Sequence, residues 1–410
     1  MFERLTDVFS AAATKYLTAV DAEPSKSNQH EIGGLPRAGI GEVLGFPANG
    51  IKDYIPATMV FINETEEYPI LCEDVVTWYD SRFNDPKRGP EYRMYYKSNE
   101  VTESFREGDF FLLALTKERT LLMIFCRPGT QTEIQLKTVF GAIDTSTIEE
   151  LRSIPIEESS VVSPIRLMLA RYGIELEIKG KDDDEILEVI RKKFSNNFPT
   201  TRKFSEFARK YCKDVSPVEN PDHTLIAWMN EEEHLFRLLE RSIVREKLSQ
   251  GFGENGDDVD DFVRFSLSVQ NRRKSRVGRA FENHIEEVLI QNDLDFERGA
   301  ATEGKQQPDF LFPSQIAYMD MTFPPERLRI LAAKTTCKDR WRQVLPEADR
   351  ITRKHLITLE PSISKDQLEQ IRDRNIQLVV PLPVQVTYQK EQAELLWSLR
   401  QFIDELRALN

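Results

Sequence analysis

The sequence predicts a two-domain protein with a β-rich N-terminal domain and an α/β C-terminal domain. The chain has 410 residues, which is enough for two separate hydrophobic cores. Between residues 57 and 140, short apolar runs alternate with turn residues, a pattern typical of strands. After residue 204, long segments of helical periodicity precede short apolar runs bounded by Pro, Gly and charge, as expected of an α/β core.

Composition limits the classes of protein to which this chain can belong. The four cysteines are scattered without paired spacing, which argues against a disulfide framework or a zinc site and favours a reducing cytoplasm. No apolar run approaches the roughly 18 residues of a membrane span, so no membrane partner is expected. The net charge of −13 argues mildly against a nucleic-acid binder, yet local basic clusters remain on the acidic chain.

The N-terminal domain begins with an amphipathic pattern over residues 1–20, which predicts a helix and not a signal peptide. Residues 21–50 are rich in Gly, Pro, Ser and Asn and predict a loop, in which His30 would be solvent-exposed. Six β-like runs then favour a small barrel or sandwich: residues 59–62, 70–79, 92–96, 110–115, 121–126 and 133–140.

A basic turn, residues 82–93, separates two of these predicted strands. Arg side chains in such a turn can enter the major groove of DNA and read guanine, while a carboxylate accepts a hydrogen bond from cytosine. The same pattern is compatible with a solvated hairpin tip.

A charge run over residues 179–185 is typical of a solvated linker. We therefore expect an N-terminal domain over residues 1–178, a linker over residues 179–196 and a C-terminal domain over residues 197–410.

Helical periodicity dominates the first part of the C-terminal domain. Residues 204–248 carry an apolar stripe that belongs in a core, and a second helix is predicted over residues 261–270. The basic cluster that follows, with Arg272 and Arg273, suits phosphate contacts, although such a cluster is also compatible with a solvated face. A third helix is predicted over residues 279–291, and Glu282 borders its apolar face.

The stretch from residue 308 to residue 347 carries the residues best suited to catalysis. Asp309 enters one short apolar run and Lys334 closes a second, so pairing of the two strands would bring a carboxylate and an ammonium together. Glu347 begins a predicted helical stretch and would add a second carboxylate. Two carboxylates and a lysine suit a Mg²⁺ ion and the hydrolysis of a phosphodiester. A structural aspartate and a surface lysine are the alternative.

Three segments resemble the catalytic domain of the EcoRII-type restriction endonucleases: RRKSRVGRAFE at residues 272–282, TEGKQQPDFLFP at residues 302–313 and AKTTCKDRWRQ at residues 333–343. This resemblance covers roughly residues 197–410. Residues 25–141 more loosely resemble the effector domain of the same family, a pseudobarrel related to the plant B-three DNA-binding domain.

The resemblance implies a fold, an activity and a set of site residues. The fold would be an N-terminal all-β pseudobarrel with a C-terminal α/β endonuclease domain of the PD-(D/E)xK kind. The activity would be that of a type II restriction endonuclease from a restriction–modification system. It would act as a homodimer and hydrolyse both strands of double-stranded DNA in a Mg²⁺-dependent reaction.

The implied site residues fall into three sets. Asp309 and Glu347 would hold the metal, with Lys334 and Glu282 completing the catalytic set. In the catalytic domain, Lys338, Asp339 and Arg340 would read the bases of the target, beside the DNA-binding basic cluster with Arg272 and Arg273. The two DNA-gripping arms of the effector domain would comprise His30, Lys87, Arg88, Glu91 and Arg93.

Two positions depart from the family's pattern. Tyr92 stands where the family has a basic residue, and Pro346 precedes the candidate ligand Glu347. A target like CC(A/T)GG is the first expectation. The alternatives are a sequence-specific DNA-binding regulator with an inactive nuclease scaffold, or a repair nuclease that reads DNA structure and not sequence.

Overall fold

The computed structural model describes residues 5–22, 30–48, 50–66, 68–84, 87–140, 151–154, 169, 183–213, 215–253, 256–337 and 340–409. The chain divides into two compact units. Unit 1 comprises Met1–Ile174 with Pro361–Ser364, and unit 2 comprises Glu175–Glu360 with Lys365–Asn410. None of the helices in these described ranges is long and apolar enough to cross a membrane.

Unit 1 is built on one eight-stranded sheet. Its strands are β1 (Phe9–Tyr16), β2 (Glu31–Ile32), β3 (Asp53–Ile62), β4 (Ile70–Asp80), β5 (Tyr92–Tyr95), β6 (Phe110–Thr116), β7 (Leu121–Cys126) and β8 (Arg152–Ile154). Their order is β2-β5-β4-β3-β7-β6-β1-β8, and every neighbouring pair is antiparallel except β3 and β7. Within the described residues the end strands β2 and β8 do not pair with each other. The pseudobarrel stays a prediction.

The core of unit 1 lies around the central strands. All residues of β7 are buried, as are the first six of β6, because these strands are continuous apolar runs covered on both faces. The longer strand β4 alternates half-buried and exposed positions over its first six residues, as a half-exposed strand does.

Two predictions for unit 1 are wrong. Its described helices are α1 (Leu5–Val8), α2 (Ala19–Ala22), α3 (Ile40–Leu44) and α4 (Gln131–Phe140). The helix predicted over residues 1–20 gives way to β1, because pairing with β6 and β8 outweighs the helix propensity of its alanines. The strand predicted over residues 133–140 is part of α4, whose buried residues recur every three to four positions and not every two.

Helices precede the sheet in unit 2. They are α5 (Asp183–Phe194), α6 (Thr201–Arg209), α7 (Pro221–Gln250) and α8 (Val259–Gln291), and later α9 (Gln315–Met319), α10 (Lys365–Asp373), α11 (Leu382–Gln385), α12 (Lys390–Ala393) and α13 (Leu399–Leu409). Part of the predicted linker is therefore helical, because Ile190 of α5 packs into a cluster with Phe204 of α6 and Leu235 of α7. The domain limits stay a prediction.

Several helix limits also differ from those predicted. The basic cluster lies inside the single helix α8, which contains no proline and whose first turn is capped by Asp258, accepting from the Asp261 N–H (2.8 Å). Near the C-terminal end, α12 and α13 are separate helices, and Trp397 between them bridges Val379.

The sheet of unit 2 has five strands: β9 (Glu297–Arg298), β10 (Phe310–Phe312), β11 (Arg329–Lys334), β12 (Lys354–Thr358) and β13 (Ile376–Val379). The order is β13-β12-β11-β10-β9. The strands β9, β10 and β11 are antiparallel, whereas β11, β12 and β13 run parallel. Short 3₁₀ turns at Glu303–Lys305, Pro325–Arg327 and Arg340–Val344 connect these elements. The result is a mixed sheet, as predicted for an α/β core.

Candidate active site

Strand pairing brings Asp309 and Lys334 together. Asp309 immediately precedes β10 and Lys334 ends β11, and the antiparallel register (Phe310 opposite Leu331) places the start of one strand beside the end of the other. The Lys334 ammonium donates to Oδ2 of Asp309 (2.7 Å), and the N–H of Ala333 donates to the same oxygen (2.7 Å). Both donors contact Oδ2. Among the described residues, no donor contacts Oδ1 of Asp309.

Glu347 is the third member of this group. Its side chain is buried, and Oε2 has no hydrogen-bond partner among the described residues. Desolvation by burial raises the pKa of Glu347 to about 7, and the charge of Asp309 adds to this rise. The ammonium of Lys334 acts in the opposite direction and lowers the pKa. Glu347 therefore lies close enough to Asp309 and Lys334 for each charge to act on it.

Glu347 is not at the start of a helix as the sequence predicted. The 3₁₀ turn Arg340–Val344 ends before it, and the Glu347 N–H donates to the carbonyl of Val344 (3.2 Å). Pro346 disfavours a helical conformation at the residue before it and has no N–H of its own, so the chain continues as a turn.

Glu282 has a different partner. It lies on α8, where its Oε2 accepts from Arg298 of β9 (2.6 Å). Arg298 also donates to Asn283 (2.8 Å) and to Glu286 (2.7 Å). Desolvation would lower the pKa of Arg298, but the hydrogen bond and charge of Glu282 raise it above its usual value. Glu282 is not among the charges that shift the pKa of Glu347, so its catalytic role stays a prediction.

The basic cluster of α8 is partly occupied by ion pairs. Arg273 donates through Nε to both oxygens of the buried Glu240 (2.8 and 2.9 Å). Arg272 is exposed and lies over the ring of Phe198 (4.4 Å to the centroid). Contact of either arginine with DNA stays a prediction, and Arg272 is the more accessible of the two.

The segment expected to read bases is described only in part. Lys338 and Asp339 lie outside the described residues. Arg340 is exposed and begins the 3₁₀ turn, with its N–H donating to the carbonyl of Cys337 (2.9 Å). The N–H of Cys337 in turn donates to the buried carboxylate of Glu360 (2.8 Å).

In unit 1 the predicted DNA arms have mixed surroundings. His30 is half-buried and not exposed as expected, because its ring packs edge-on against Tyr95 and Tyr96. Lys87 and Arg88 are exposed in the segment between β4 and β5.

The remaining two arm residues are held by ion pairs. Glu91 accepts from Arg93 (3.0 Å) and pairs with Arg82, and Arg93 also donates to the buried Glu31 (2.7 Å). Desolvation opposes the charge on Arg93, but its hydrogen bond to Glu31 raises its pKa. Their binding of DNA stays a prediction.

Sequence reasoning missed the residues that surround Glu347. The carboxylate of Glu303 accepts from the Tyr318 hydroxyl (2.5 and 2.6 Å), and Lys354 is a buried lysine that donates to the Glu347 carbonyl. The available signal was a lysine at the start of the apolar run that forms β12. Within the described residues, no group of three or more His, Cys, Asp or Glu side chains is arranged to hold a metal ion.

Comparison with known proteins places this chain in a family. The family model described as EcoRII C terminal matches residues 236–403. The type II restriction enzyme EcoRII of Escherichia coli is 31% identical over 383 residues, which covers 93% of this chain and 90% of that protein. The type II restriction enzyme SsoII of Shigella sonnei is 25% identical over 186 residues, or 42% of this chain and 58% of that protein.

Solved structures of restriction endonucleases bound to DNA also match at lower similarity. Metal-depleted Ecl18kI with uncleaved DNA is 20% identical with a TM-score of 0.45 and covers 55% of this chain and 84% of that chain. The PspGI–substrate DNA complex is 15% identical with a TM-score of 0.44 and covers 54% of this chain and 96% of that chain.

These matches define the class of protein first, which is that of the type II restriction enzymes. The match to EcoRII spans nearly the whole of both chains, so the chain belongs to the EcoRII family. The resemblance inferred from the motifs is confirmed.

Proposed function

We propose that this restriction endonuclease hydrolyses both strands of duplex DNA at a short two-fold symmetric sequence and requires Mg²⁺. The observation that carries the proposal is the group of Asp309, Lys334 and Glu347, in which a buried carboxylate oxygen of Glu347 has no hydrogen-bond partner among the described residues. Buried polar atoms are normally satisfied, so an oxygen without a described donor beside a second carboxylate supports a cation site here.

The residues present fit a hard divalent cation. Carboxylate oxygens are the ligands that Mg²⁺ prefers in proteins, and among the described residues no donor contacts Oε2 of Glu347 or Oδ1 of Asp309. Asp309 and Glu347 would therefore hold the ion. When bound, Mg²⁺ supplies Lewis-acid stabilisation of the negative charge that develops on the attacked phosphate.

The chain's own residues orient the reaction. Asp309 fixes the Lys334 ammonium at the end of β11 and compensates its charge, so the side chain enters the site in one orientation. Lys334 then donates to the attacking water and to the phosphate oxygens, where its positive charge stabilises the pentacoordinate phosphate. In-line attack on phosphorus leaves a 5′-phosphate and a 3′-hydroxyl.

The partners follow from the symmetry of the target and from the family. A two-fold symmetric site requires one copy of the reading segment for each half-site, so we propose a homodimer. Unit 1 would be a pseudobarrel that binds a further copy of the target as an effector, with His30 and the turn at residues 87–93 as its two arms. Arg340 with Lys338 and Asp339 would read guanine and cytosine in a CC(A/T)GG-like target.

Plasmid digestion with the purified full-length protein and Mg²⁺ tests this proposal. Discrete fragments, with sequenced ends that share one short motif, are expected. Absence of cutting alongside sequence-specific binding would favour a regulator with an inactive nuclease scaffold. Cutting only at junctions or mismatches would favour a repair nuclease.

A further inference from the structure

The turn that carries Glu347 has an unusual backbone. It lies between the 3₁₀ turn Arg340–Val344 and strand β12, outside any regular element. Ala348, the next residue, has a φ of 52°, in the left-handed region that costs an alanine roughly 1 kcal/mol. Such a conformation persists only where neighbouring groups determine it. The position of the Glu347 carboxylate therefore depends on what holds this turn.

Lys354 holds the turn from one side. This lysine is the first residue of β12 and is only 8% exposed. Its ammonium donates to the carbonyl oxygen of Glu347 and to that of Ala348 (3.3 Å). Among the described residues no carboxylate lies within ion-pair distance of Lys354, so main-chain carbonyls are its direct partners. Burial of an ammonium is costly, so a lysine at this position requires a specific role.

Glu303 and Tyr318 hold the turn from the other side. The N–H of Asp349 donates to Oε2 of Glu303 (3.3 Å), and the N–H of Arg350 donates to the Tyr318 hydroxyl (3.3 Å). Four successive residues, from Glu347 to Arg350, thus make one backbone hydrogen bond each to these three side chains. Lys354 contacts the carbonyl of Glu347 itself, so it acts on the position of Glu347 more directly than Glu303 or Tyr318 does.

We propose that Lys354 is a positioning residue that fixes the Glu347 carboxylate toward Asp309 and Lys334 by binding the main chain of residues 347 and 348. The inference rests on the proposed function, in which Glu347 holds a divalent cation. Lys354 acts through the backbone and does not touch DNA or metal. Its loss lowers the affinity for the cation and leaves the affinity for DNA unchanged.

The test replaces Lys354 and measures cation binding directly. Mn²⁺ binding to the full-length protein without DNA is followed by electron paramagnetic resonance, and the Mg²⁺ concentration for half-maximal cleavage is measured separately. For Lys354→Met we expect the dissociation constant for Mn²⁺ and the Mg²⁺ concentration for half-maximal cleavage each to rise about tenfold or more. Such a loss is typical when a residue that orients a metal ligand is removed. Lys354→Arg retains donors for both carbonyls and should remain within about threefold of the wild type.

Lys15→Met is the matched control. Lys15 is an equally buried lysine (6% exposed) of unit 1, ion-paired with Asp21 (2.6 Å). Its loss should lower the melting temperature without changing Mn²⁺ affinity. If Lys354→Met does not fold, Lys354→Gln takes its place with the same expectation, because glutamine is too short to reach both carbonyls.

Two results would overturn the inference. One is a folded Lys354 variant that binds Mn²⁺ as the wild type does, and the other is an equal loss of Mn²⁺ affinity in Lys15→Met. Failure of the proposed function would be recognised separately, because the wild-type protein itself would then neither bind Mn²⁺ at this site nor cut DNA.

Discussion

The candidate active site of unit 2 and the basic turn of unit 1 both concentrate charged residues, but they differ in how completely those charges are satisfied. In unit 1, Glu31 accepts from Arg93 and from the Tyr79 hydroxyl, and Glu91 accepts from Arg93 and pairs with Arg82. In unit 2, a buried oxygen of Glu347 has no described donor. Paired charges need no further partner, whereas an unsatisfied buried acceptor can accept from or bind a further group. The two regions therefore differ in whether a buried carboxylate oxygen is left without a described donor.

The largest effect is expected from Lys334→Ala. Loss of the ammonium proposed to stabilise the phosphate should lower the cleavage rate by roughly 10²–10³-fold or more, while affinity for duplex DNA changes little. Single-turnover cleavage and a binding titration in the absence of metal measure the two quantities. Lys365→Ala, which removes an exposed lysine of α10 (78% exposed side chain), is the matched control and should cleave normally. Equal loss of cleavage and binding in Lys334→Ala would indicate a folding role instead.

The second prediction concerns pH and the unsatisfied carboxylate. Burial raises the pKa of Glu347 from 4.5 to about 7, so the folded metal-free protein holds a proton there at lower pH. Cation binding must release that proton, and the affinity for Mn²⁺ should rise about tenfold per pH unit below 7 and level off above it.

The raised pKa of Glu347 also makes the stability of the fold depend on pH. Stability should fall as pH rises, whereas the affinity for Mn²⁺ should increase. A carboxyl whose folded pKa is raised binds its proton more tightly in the folded state, so stability falls as pH rises from about 4.5 to about 7. The loss is on the order of 3 kcal/mol, and Mg²⁺ should restore it. Melting curves between these pH values, with and without Mg²⁺, measure the effect. Glu347→Gln should remove the contribution of Glu347 to both pH dependences, and curves that match those of the wild type would assign the effect to another group.

The third prediction concerns the paired carboxylates Glu31 and Glu91 of unit 1. Glu31 is 4% exposed, so Glu31→Gln removes a buried partner of Arg93 and should cost about 2 kcal/mol of unfolding free energy. Glu91→Gln removes a partner whose side chain is 32% exposed and should cost at most about 1 kcal/mol. Urea denaturation gives both values, and equal costs would contradict the distinction between buried and accessible pairs.

The smallest effect is expected in the basic cluster of α8. Arg272 is exposed, and its loss should weaken DNA binding a few-fold and reduce the salt dependence of binding by about one unit of slope. Arg273 is paired with the buried Glu240, so Arg273→Ala should lower the stability of the fold and leave the salt dependence of DNA binding nearly unchanged. Binding titrations at several salt concentrations separate the two, and an unchanged slope in Arg272→Ala would exclude a phosphate contact.

The sequence was most informative about short apolar segments, whose secondary structure could be predicted from the neighbouring residues. The strands beside Asp309 and Lys334 were predicted because brief apolar runs bounded by Pro and charge have few other interpretations, and the structure pairs them. The alanine-rich strand β1 could not be predicted, since only its pairing with β6 overrides a local helical pattern. Lys354 was missed for a related reason, because its burial and its contacts with main-chain carbonyls are tertiary facts.

Anomalous diffraction from crystals of the full-length protein grown with Mn²⁺ tests the central claim most directly. We predict a manganese peak between the carboxylates of Asp309 and Glu347, beside the Lys334 ammonium. A peak at other residues, or an Asp309–Glu347 pair that stays empty while Mn²⁺ supports cleavage in solution, would contradict it.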